Sequence, residues 1–223
     1  MKKVIILFLI TLGIYSCNIK SPNQNSSEVN KKDEKTVELI GENLATKDDI
    51  MKIMGDDFKV EIIEHKEVFI NNSANSIEIF LEKIVGWNDP GDFHKIRILS
   101  NSNEYVYYNN NGWIEYENEF YNKNNIQNVV NSKYIFIEEK TDEDILLYVF
   151  SYVYASQPGY LSIINLTAFN KPVLIYNDKS YLVSFEDVNS DDINDMYINK
   201  FGFDINKNLS PFIFQKGVYI PYK

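Results

Sequence analysis

The sequence predicts a mainly β domain, an antiparallel sandwich, barrel or propeller-like structure, with one short helix before the strands and a disordered tether before the helix. From Phe58 onward, apolar and polar residues alternate in short runs, which is typical of strands with one buried face. Turn-forming residues separate these runs at intervals of about ten residues, a rhythm closer to that of sheet proteins than to βαβ units. The aromatic share is also high, with 16 Tyr and 14 Phe residues.

The short helix is predicted to begin after Thr46 and to end at Gly55. The Thr46 hydroxyl can accept a hydrogen bond from the first turn, and the carboxylates of Asp48 and Asp49 favour the positive end of the helix dipole. Gly55 follows the last apolar residue and is a typical stop signal. The apolar face is predicted to consist of Ile50, Ile53 and Met54.

Strands are predicted wherever apolar runs lie between turn residues. The run 145–154 is apolar and aromatic almost throughout, which indicates a strand covered on both faces. Asn109–Gly112 lies between two aromatic segments and predicts a hairpin turn. The least apolar central stretch, 122–132, is the place at which the domain could be subdivided. The predicted strands are 58–63, 77–82, 96–99, 105–108, 113–116, 134–137, 145–154, 161–166, 173–176, 181–185, 196–201 and 212–220.

The composition excludes several partners and chemistries. With 32 acidic against 22 basic residues, the formal net charge is −10, which disfavours nucleic acids and anionic lipid headgroups as partners. Cys17 is the only cysteine, so the chain cannot form an internal disulfide. Stability therefore has to come from a hydrophobic core, for which the chain is long enough.

The first residues have the layout of an export signal. Met1–Lys3 is basic, and Val4–Tyr15 is almost entirely apolar. A helix that spans a membrane needs about 20 apolar residues, and this run is too short. We therefore predict a cleaved signal over residues 1–16, directly before Cys17.

The segment Ile14–Cys17 resembles the lipobox of bacterial lipoproteins, with an aliphatic residue three positions before the cysteine and a small residue directly before it. The bulky Tyr15 departs from the usual small residue. The resemblance implies cleavage before Cys17, a diacylglyceryl thioether on its sulfur and an acyl chain such as palmitate on its new amino group. It also implies a lipid-anchored, extracytoplasmic location at the bacterial cell envelope, on the outer membrane or facing the periplasm.

Residues 17–36 are predicted to link the lipid to a β-rich domain at 37–223. The stretch Asn18–Thr36 holds too few apolar residues to bury and is predicted to be a disordered tether. As a random coil, it would have a root-mean-square reach of about 25 Å.

The acidic segment Asp187–Asp195 is the one motif with a candidate chemistry. Ca²⁺ prefers six to eight oxygen ligands, which alternate residues of a tight loop can supply. The predicted ligands are the side chains of Asp187, Asn189, Asp191 and Asp195 and the backbone carbonyl of Ile193.

This segment resembles the calcium loops of FG-GAP and VCBS-type repeats, which lie between the strands of secreted β-proteins. The resemblance covers this segment alone and implies a structural calcium ion. Asp192 takes the place of the usual glycine, and Ile198 stands where an EF-hand has its bidentate Glu, which argues against an EF-hand. The alternative is a turn in which Asp and Asn side chains only cap their own backbone.

Other signals are weaker. His94 lies near Asp89 and Asp92, where either a metal or acid–base role or a plain polar loop would account for it. No established catalytic motif is present, and no catalytic residue is assigned. One aromatic cluster would bind a sugar or a protein if it were exposed and would form core pairs if buried: Tyr105, Tyr107, Tyr108, Trp113, Tyr116, Phe120 and Tyr121.

Together these features predict an envelope lipoprotein, held to the membrane by its N-terminal lipid, whose calcium-stabilised β domain binds a protein or a glycan. Two alternatives stay open. The domain could be an envelope hydrolase that uses paired carboxylates, or a structural subunit of an outer-membrane assembly.

Overall fold

Thirteen strands in the described part of the chain form three sheets that follow one another in sequence. The computed structural model describes residues 35–38, 44–70, 76–88, 90–116, 128–151, 158–200 and 208–223. Each sheet contains a meander of four antiparallel strands, in which every strand pairs with its neighbour in sequence. The predicted mainly β class is confirmed. None of the three sheets closes on itself within these residues, so the architecture is layered and sandwich-like.

The element bounds place one sheet in each third of the domain. The first sheet contains β1 (Lys35–Glu38), β2 (Val60–Phe69), β3 (Ser76–Ile84), β4 (Phe93–Ser100) and β5 (Asn103–Trp113), with β1 parallel to β5. The second contains β6 (Phe136–Glu139), β7 (Ile145–Phe150), β8 (Tyr160–Asn165) and β9 (Val173–Lys179). The third contains β10 (Tyr181–Glu186), β11 (Asp195–Asn199), β12 (Leu209–Gln215) and β13 (Val218–Pro221). The helix α1 (Lys47–Met54) follows β1, and a short 3-10 helix (Ala168–Asn170) joins β8 to β9.

The second sheet is the middle layer and is covered on both faces. Along β7, Ile145, Leu147 and Val149 point into the core shared with the first sheet. The alternate residues Leu146 and Tyr148 point into the core shared with the third sheet. Because both sets are buried, β7 reads as a continuous apolar run, and this part of the prediction for 145–154 is confirmed. Residues 152–154 lie outside the described residues.

Helix α1 covers part of the outer face of the first sheet. It begins with a full capping box, since the Thr46 hydroxyl accepts from the Asp49 N–H at 3.1 Å and the Asp49 carboxylate accepts from the Thr46 N–H at 3.0 Å. It ends at Gly55, whose φ is 86°. Ile50 is fully buried against Ile84, Val106 and Tyr108, whereas Ile53, predicted on the same face, is exposed. In the described part of the chain, no helix has the length and apolarity needed to cross a membrane.

The predicted hairpin turn at Asn109–Gly112 is wrong. Both flanking segments pair with the same strand, because Tyr108 lies opposite Lys95 and Trp113 lies opposite Phe93. The four residues between them are an irregularity inside β5. Gly112 is required there, since its φ is 64° and a Cβ would lie 2.7 Å from the Cα of Gly91.

The predicted strand 212–220 is instead a hairpin. β12 and β13 are joined by Lys216 and Gly217, whose φ values are 53° and 78°. Two consecutive residues with positive φ are typical of the tight turns that suit the twist of a hairpin. β1 also begins at Lys35, inside the stretch predicted as tether, where pairing with β5 supplies its backbone partners.

Candidate functional site

The acidic segment forms the connection between β10 and β11, and its carboxylates are turned toward its own backbone. Asp187 Oδ1 accepts from the N–H groups of Ser190 at 2.7 Å and Asp191 at 3.1 Å, and its Oδ2 accepts from the Asp192 N–H at 3.0 Å. Ser190 and Asp192 have φ values of 64° and 67°. The left-handed conformation expected at Asp192 is therefore present, and Asp187 stabilises it.

Asn189 and Asp191 form a second set of local bonds on the solvent side of the loop. Asp191 Oδ1 accepts from the Ile193 N–H at 2.9 Å, and Asn189 Nδ2 donates to Asp191 Oδ2 at 2.8 Å. Asn189 Oδ1 in turn accepts from the Asp191 N–H at 3.2 Å. All of these contacts fix the loop, and none of them leaves it.

Asp195 has a different role from the other acids of the segment. Its side chain is fully buried, with Oδ2 accepting from the Val188 N–H at 3.0 Å and Oδ1 accepting from the Phe214 N–H at 2.7 Å. One carboxylate thus closes the loop and ties it to the neighbouring strand β12. Each of its two oxygens therefore has a backbone N–H donor.

The calcium site stays a prediction. The oxygens are hard donors of the kind that Ca²⁺ prefers, and a carboxylate has about four lone-pair sites. In this arrangement, however, they satisfy backbone N–H groups, as in the capping alternative. Among the described residues, no group of three or more His, Cys, Asp or Glu side chains is arranged to hold a metal ion.

A buried charged cluster between the second and third sheets was missed from the sequence. Lys140 Nζ lies 3.1 Å from Glu138 Oε1, and the Lys140 side chain is only 1% exposed. Tyr148 donates its hydroxyl hydrogen to Glu138 Oε2 at 2.7 Å and lies 3.1 Å from the Tyr219 hydroxyl. No local pattern distinguishes Glu138 and Lys140 from the many other charged residues, so only the packing of the two sheets reveals them.

Aromatic rings enclose the Lys140 ammonium. Its Nζ lies 5.1 Å from the ring centre of Phe185, 5.6 Å from that of Tyr219 and 6.0 Å from that of Phe214. Burial lowers the pKa of Lys140, and the nearby Glu138 opposes that change. Burial also raises the pKa of Tyr148 and of Tyr219 well above the usual value. All members of the cluster are buried, and the contact between Tyr148 and Tyr219 joins the second sheet to the third.

A second charged cluster lies on the outer face of the first sheet. Glu82, almost fully buried, lies 2.6 Å from Lys95 Nζ and 2.7 Å from Arg97 Nε. The Arg97 guanidinium covers one face of the Phe80 ring at 3.9 Å, and the His65 ring stacks on Phe80 with centroids 4.2 Å apart. Paired charges thus cover this part of the face.

Most of the remaining candidates from the sequence are buried. His94 is fully buried in β4 and its Nδ1 accepts from the Ile84 N–H at 3.3 Å, so it lies in a strand and not in a polar loop. Asp92 accepts from the Glu115 N–H at 3.1 Å, and Asp89 lies outside the described residues. Five aromatic residues of the candidate binding cluster are buried, whereas Phe120 and Tyr121 lie outside the description: Tyr105, Tyr107, Tyr108, Trp113 and Tyr116.

Part of the outer face of the third sheet is apolar, unlike the charged cluster on the outer face of the first sheet. Strand alternation turns one set of residues away from the second sheet, and we term this set the C-terminal apolar face: Tyr197, Leu209, Pro211, Ile213, Ile220 and Tyr222. Leu209, Ile220 and Tyr222 are 39%, 37% and 45% exposed, and the others are half-buried. They are neighbours across three strands, since Tyr197 pairs with Pro211 and Ile213 pairs with Ile220.

Comparison with known proteins does not assign the chain to a family. No protein-family model matches the chain, and neither the curated proteins nor the solved structures contain a significant match. Cys17, the predicted lipidation site, lies outside the described residues.

Proposed function

We propose that this chain is a lipid-anchored protein of the bacterial envelope whose β-rich domain binds a protein partner through the C-terminal apolar face. The observation that carries the binding role is this face itself. Single exposed apolar side chains are normal on soluble domains, whereas contiguous apolar patches with a polar rim mark interaction sites. The layout of Met1–Cys17 supports the anchor.

The buried carboxylates favour binding over hydrolysis. A hydrolase with paired carboxylates needs two acids that converge on a substrate. Among the described residues, Glu82 is paired with two cations, Glu138 with Lys140 and Tyr148, and Asp195 with two backbone N–H groups. Each of these acids is occupied by the fold.

A protein fits this face better than a glycan does. Sugar sites combine aromatic platforms with polar groups that bind hydroxyls, because a sugar left without hydrogen bonds loses those it made to water. Half of the C-terminal apolar face is aliphatic, namely Leu209, Ile213 and Ile220. Its match is another apolar surface with a polar rim.

Photo-crosslinking in intact cells tests the binding face. A benzophenone amino acid at Ile220 should give a defined adduct with a partner protein. The same label at Ile53, an exposed isoleucine on α1, is the matched control and should give none. Equal adducts from both positions, or none from either, would contradict the proposal. A stoichiometric complex that persists without crosslinking would favour the structural-subunit alternative.

The anchor has a separate test. Cys17→Ser should move the protein from the membrane fraction to the soluble fraction, because no other predicted lipid attachment exists in the chain. Mass spectrometry of the wild-type amino-terminal peptide should show the acyl chains on Cys17. Membrane fractionation that survives the substitution would overturn the lipoprotein assignment.

We also propose that the loop Asp187–Asp195 binds a structural Ca²⁺ through Asp187, Asn189, Asp191, Asp195 and the carbonyl of Ile193. These oxygens now accept hydrogen bonds from backbone N–H groups. To bind Ca²⁺, they would have to share those hydrogen bonds with the ion or give them up. At 100 times its dissociation constant, Ca²⁺ would stabilise the native state by about 2.7 kcal/mol.

Thermal unfolding of the full chain in detergent, with Ca²⁺ and then with excess chelator, tests this site. Asp187→Ala with Asp191→Ala should abolish the calcium-dependent rise in Tm. The matched control is Asp142→Ala with Glu143→Ala, two exposed acids of the β6–β7 turn, which should leave the rise intact. If wild-type Tm does not respond to Ca²⁺, the loop is only a capped turn.

A further inference from the structure

One end of the domain carries both the entry point of the chain and the two most exposed large apolar side chains of the described residues. β1 runs parallel to β5, and its first residue, Lys35, lies opposite Asn103 at the start of β5. The chain therefore reaches the domain beside the β4–β5 turn. The two exposed side chains are those of Phe169 and Phe69, 78% and 67% exposed.

Hydrogen bonds hold Phe169 at this end. Asn101, in the β4–β5 turn, donates from its Nδ2 to the backbone carbonyl of Asn170 at 3.0 Å. On the other side, Asn165 Nδ2 donates to the carbonyl of Gly217, in the β12–β13 turn, at 3.0 Å. Turns from all three sheets are thus tied together, with Phe169 between them.

Phe69 lies at the same end by strand register. It pairs with Ser76 at the β2–β3 end of the first sheet. Because Glu78 lies opposite Leu99, the first residues of β3 are beside the β4–β5 turn. Phe69, the chain entry and Phe169 therefore share one end of the stack.

The backbone at Phe169 is unfavourable for its residue type. Its φ and ψ are 51° and 33°, a left-handed conformation that bulky residues rarely adopt. Such strain persists where the surroundings enforce it, and it concentrates at functional positions. Here it presents an aromatic ring to solvent, which gains nothing within the fold.

We propose that this end of the domain faces the membrane and that Phe169 and Phe69 insert into the interfacial region of the bilayer. The inference rests on the proposed lipid anchor. Lys35 is 18 residues after Cys17, so a fully extended chain could separate them by at most about 60 Å. The tether thus keeps this end at a high local concentration next to the bilayer, where even weak insertion is sufficient.

The charge at this end selects the kind of lipid. Two acidic turns lie at this end of the domain. They are the β10–β11 connection and the β6–β7 turn, which contains the exposed acids Asp142 and Glu143. Their acids repel anionic headgroups and outnumber the nearby lysines Lys171 and Lys216. Insertion therefore depends on apolar contact with zwitterionic lipid and not on electrostatic attraction.

Site-specific fluorescence in vesicles tests the proposal. The probe is an environment-sensitive label on Phe169→Cys, or on Phe69→Cys, in the full acylated chain reconstituted in phosphatidylcholine vesicles. The acylated sulfur of Cys17 does not react, so the new thiol is unique. Val85→Cys is the matched control, an exposed apolar position directly after β3, at the opposite end of the first sheet.

The labels at 169 and 69 should show blue-shifted emission that rises severalfold and is quenched by nitroxide on the lipid chains, whereas the label at 85 should not. Equal, water-like emission at all three positions would overturn the inference. Emission that appears only when anionic phosphatidylglycerol is added would also overturn it, because charge would then drive the contact.

If Cys17→Ser leaves the protein on membranes, the proposed anchor fails. If the wild type is acylated but position 169 stays in water, only this inference fails.

Discussion

The two faces of the middle sheet are packed with different chemistry. Toward the first sheet, the core is mainly aliphatic, with Leu147 and its neighbours against Ile79, Ile96 and Ile98. Toward the third sheet, the core is mainly aromatic and encloses the Glu138–Lys140 pair. Adjacent residues of one strand, β7, supply both cores.

This difference in packing indicates how the alignment of the sheets is determined at each interface. Aliphatic packing is non-directional and scales with the area removed from water, so it tolerates small shifts between sheets. A buried ion pair with hydrogen-bonded tyrosines has strict geometry, because any shift leaves a charge without a partner. We therefore expect the first interface to supply stability and the second to fix the alignment of the third sheet.

Replacing Lys140 should have the largest effect. Lys140→Met leaves the Glu138 carboxylate buried without its cation, and breaking such a pair costs about 3–5 kcal/mol. Chemical denaturation of the full chain measures the loss. Lys133→Met, which removes an exposed lysine paired with the exposed Glu115, is the control and should change stability by less than about 1 kcal/mol.

The double variant Glu138→Leu with Lys140→Met sharpens the comparison. It removes both charges and should recover most of the stability, because an apolar replacement of a buried pair is often neutral or better. If Lys140→Met alone were no more harmful than Lys133→Met, the second interface would be as non-directional as the first.

A pair of tyrosine variants should give smaller effects of opposite sign. Tyr107 is buried between the first and second sheets, and within the described structure its hydroxyl has no hydrogen-bond partner. Tyr107→Phe should therefore stabilise the protein by about 1 kcal/mol. Tyr148→Phe removes a donor from Glu138 and should destabilise it by about 1.5–3 kcal/mol. Equal free energies of unfolding for the two variants would contradict the proposed difference between the two interfaces.

The sequence predicted what depends on neighbouring residues and missed what depends on pairing. The Thr46 cap and the doubly covered β7 follow from local residue types and were predicted correctly. Asn109–Gly112 has the composition of a hairpin turn, but whether the chain reverses there depends on its pairing with β4. Lys140 has no distinctive neighbours, and its burial follows only from the stacking of the third sheet on the second. Register and stacking are non-local, so a single sequence carries no direct signal for them.

The smallest effect concerns helix α1, which covers part of the outer face of the first sheet. The C-terminal apolar face of the third sheet has no such helix over it among the described residues. The hydrogen bonds from Thr46 lower the pKa of Asp49 to about 2 from an ordinary 3.8. Because the folded pKa is depressed, the cap stabilises α1 above about pH 4 and loses this contribution as the pH falls toward 2. Hydrogen exchange of the α1 amides between pH 4 and 2 should accelerate in the wild type beyond the intrinsic pH trend. Asp49→Asn should remove that dependence, and Asp48→Asn, in the same turn but outside the cap, should retain it. An unchanged profile in Asp49→Asn would show that packing of Ile50, and not the cap, holds the helix on the first sheet.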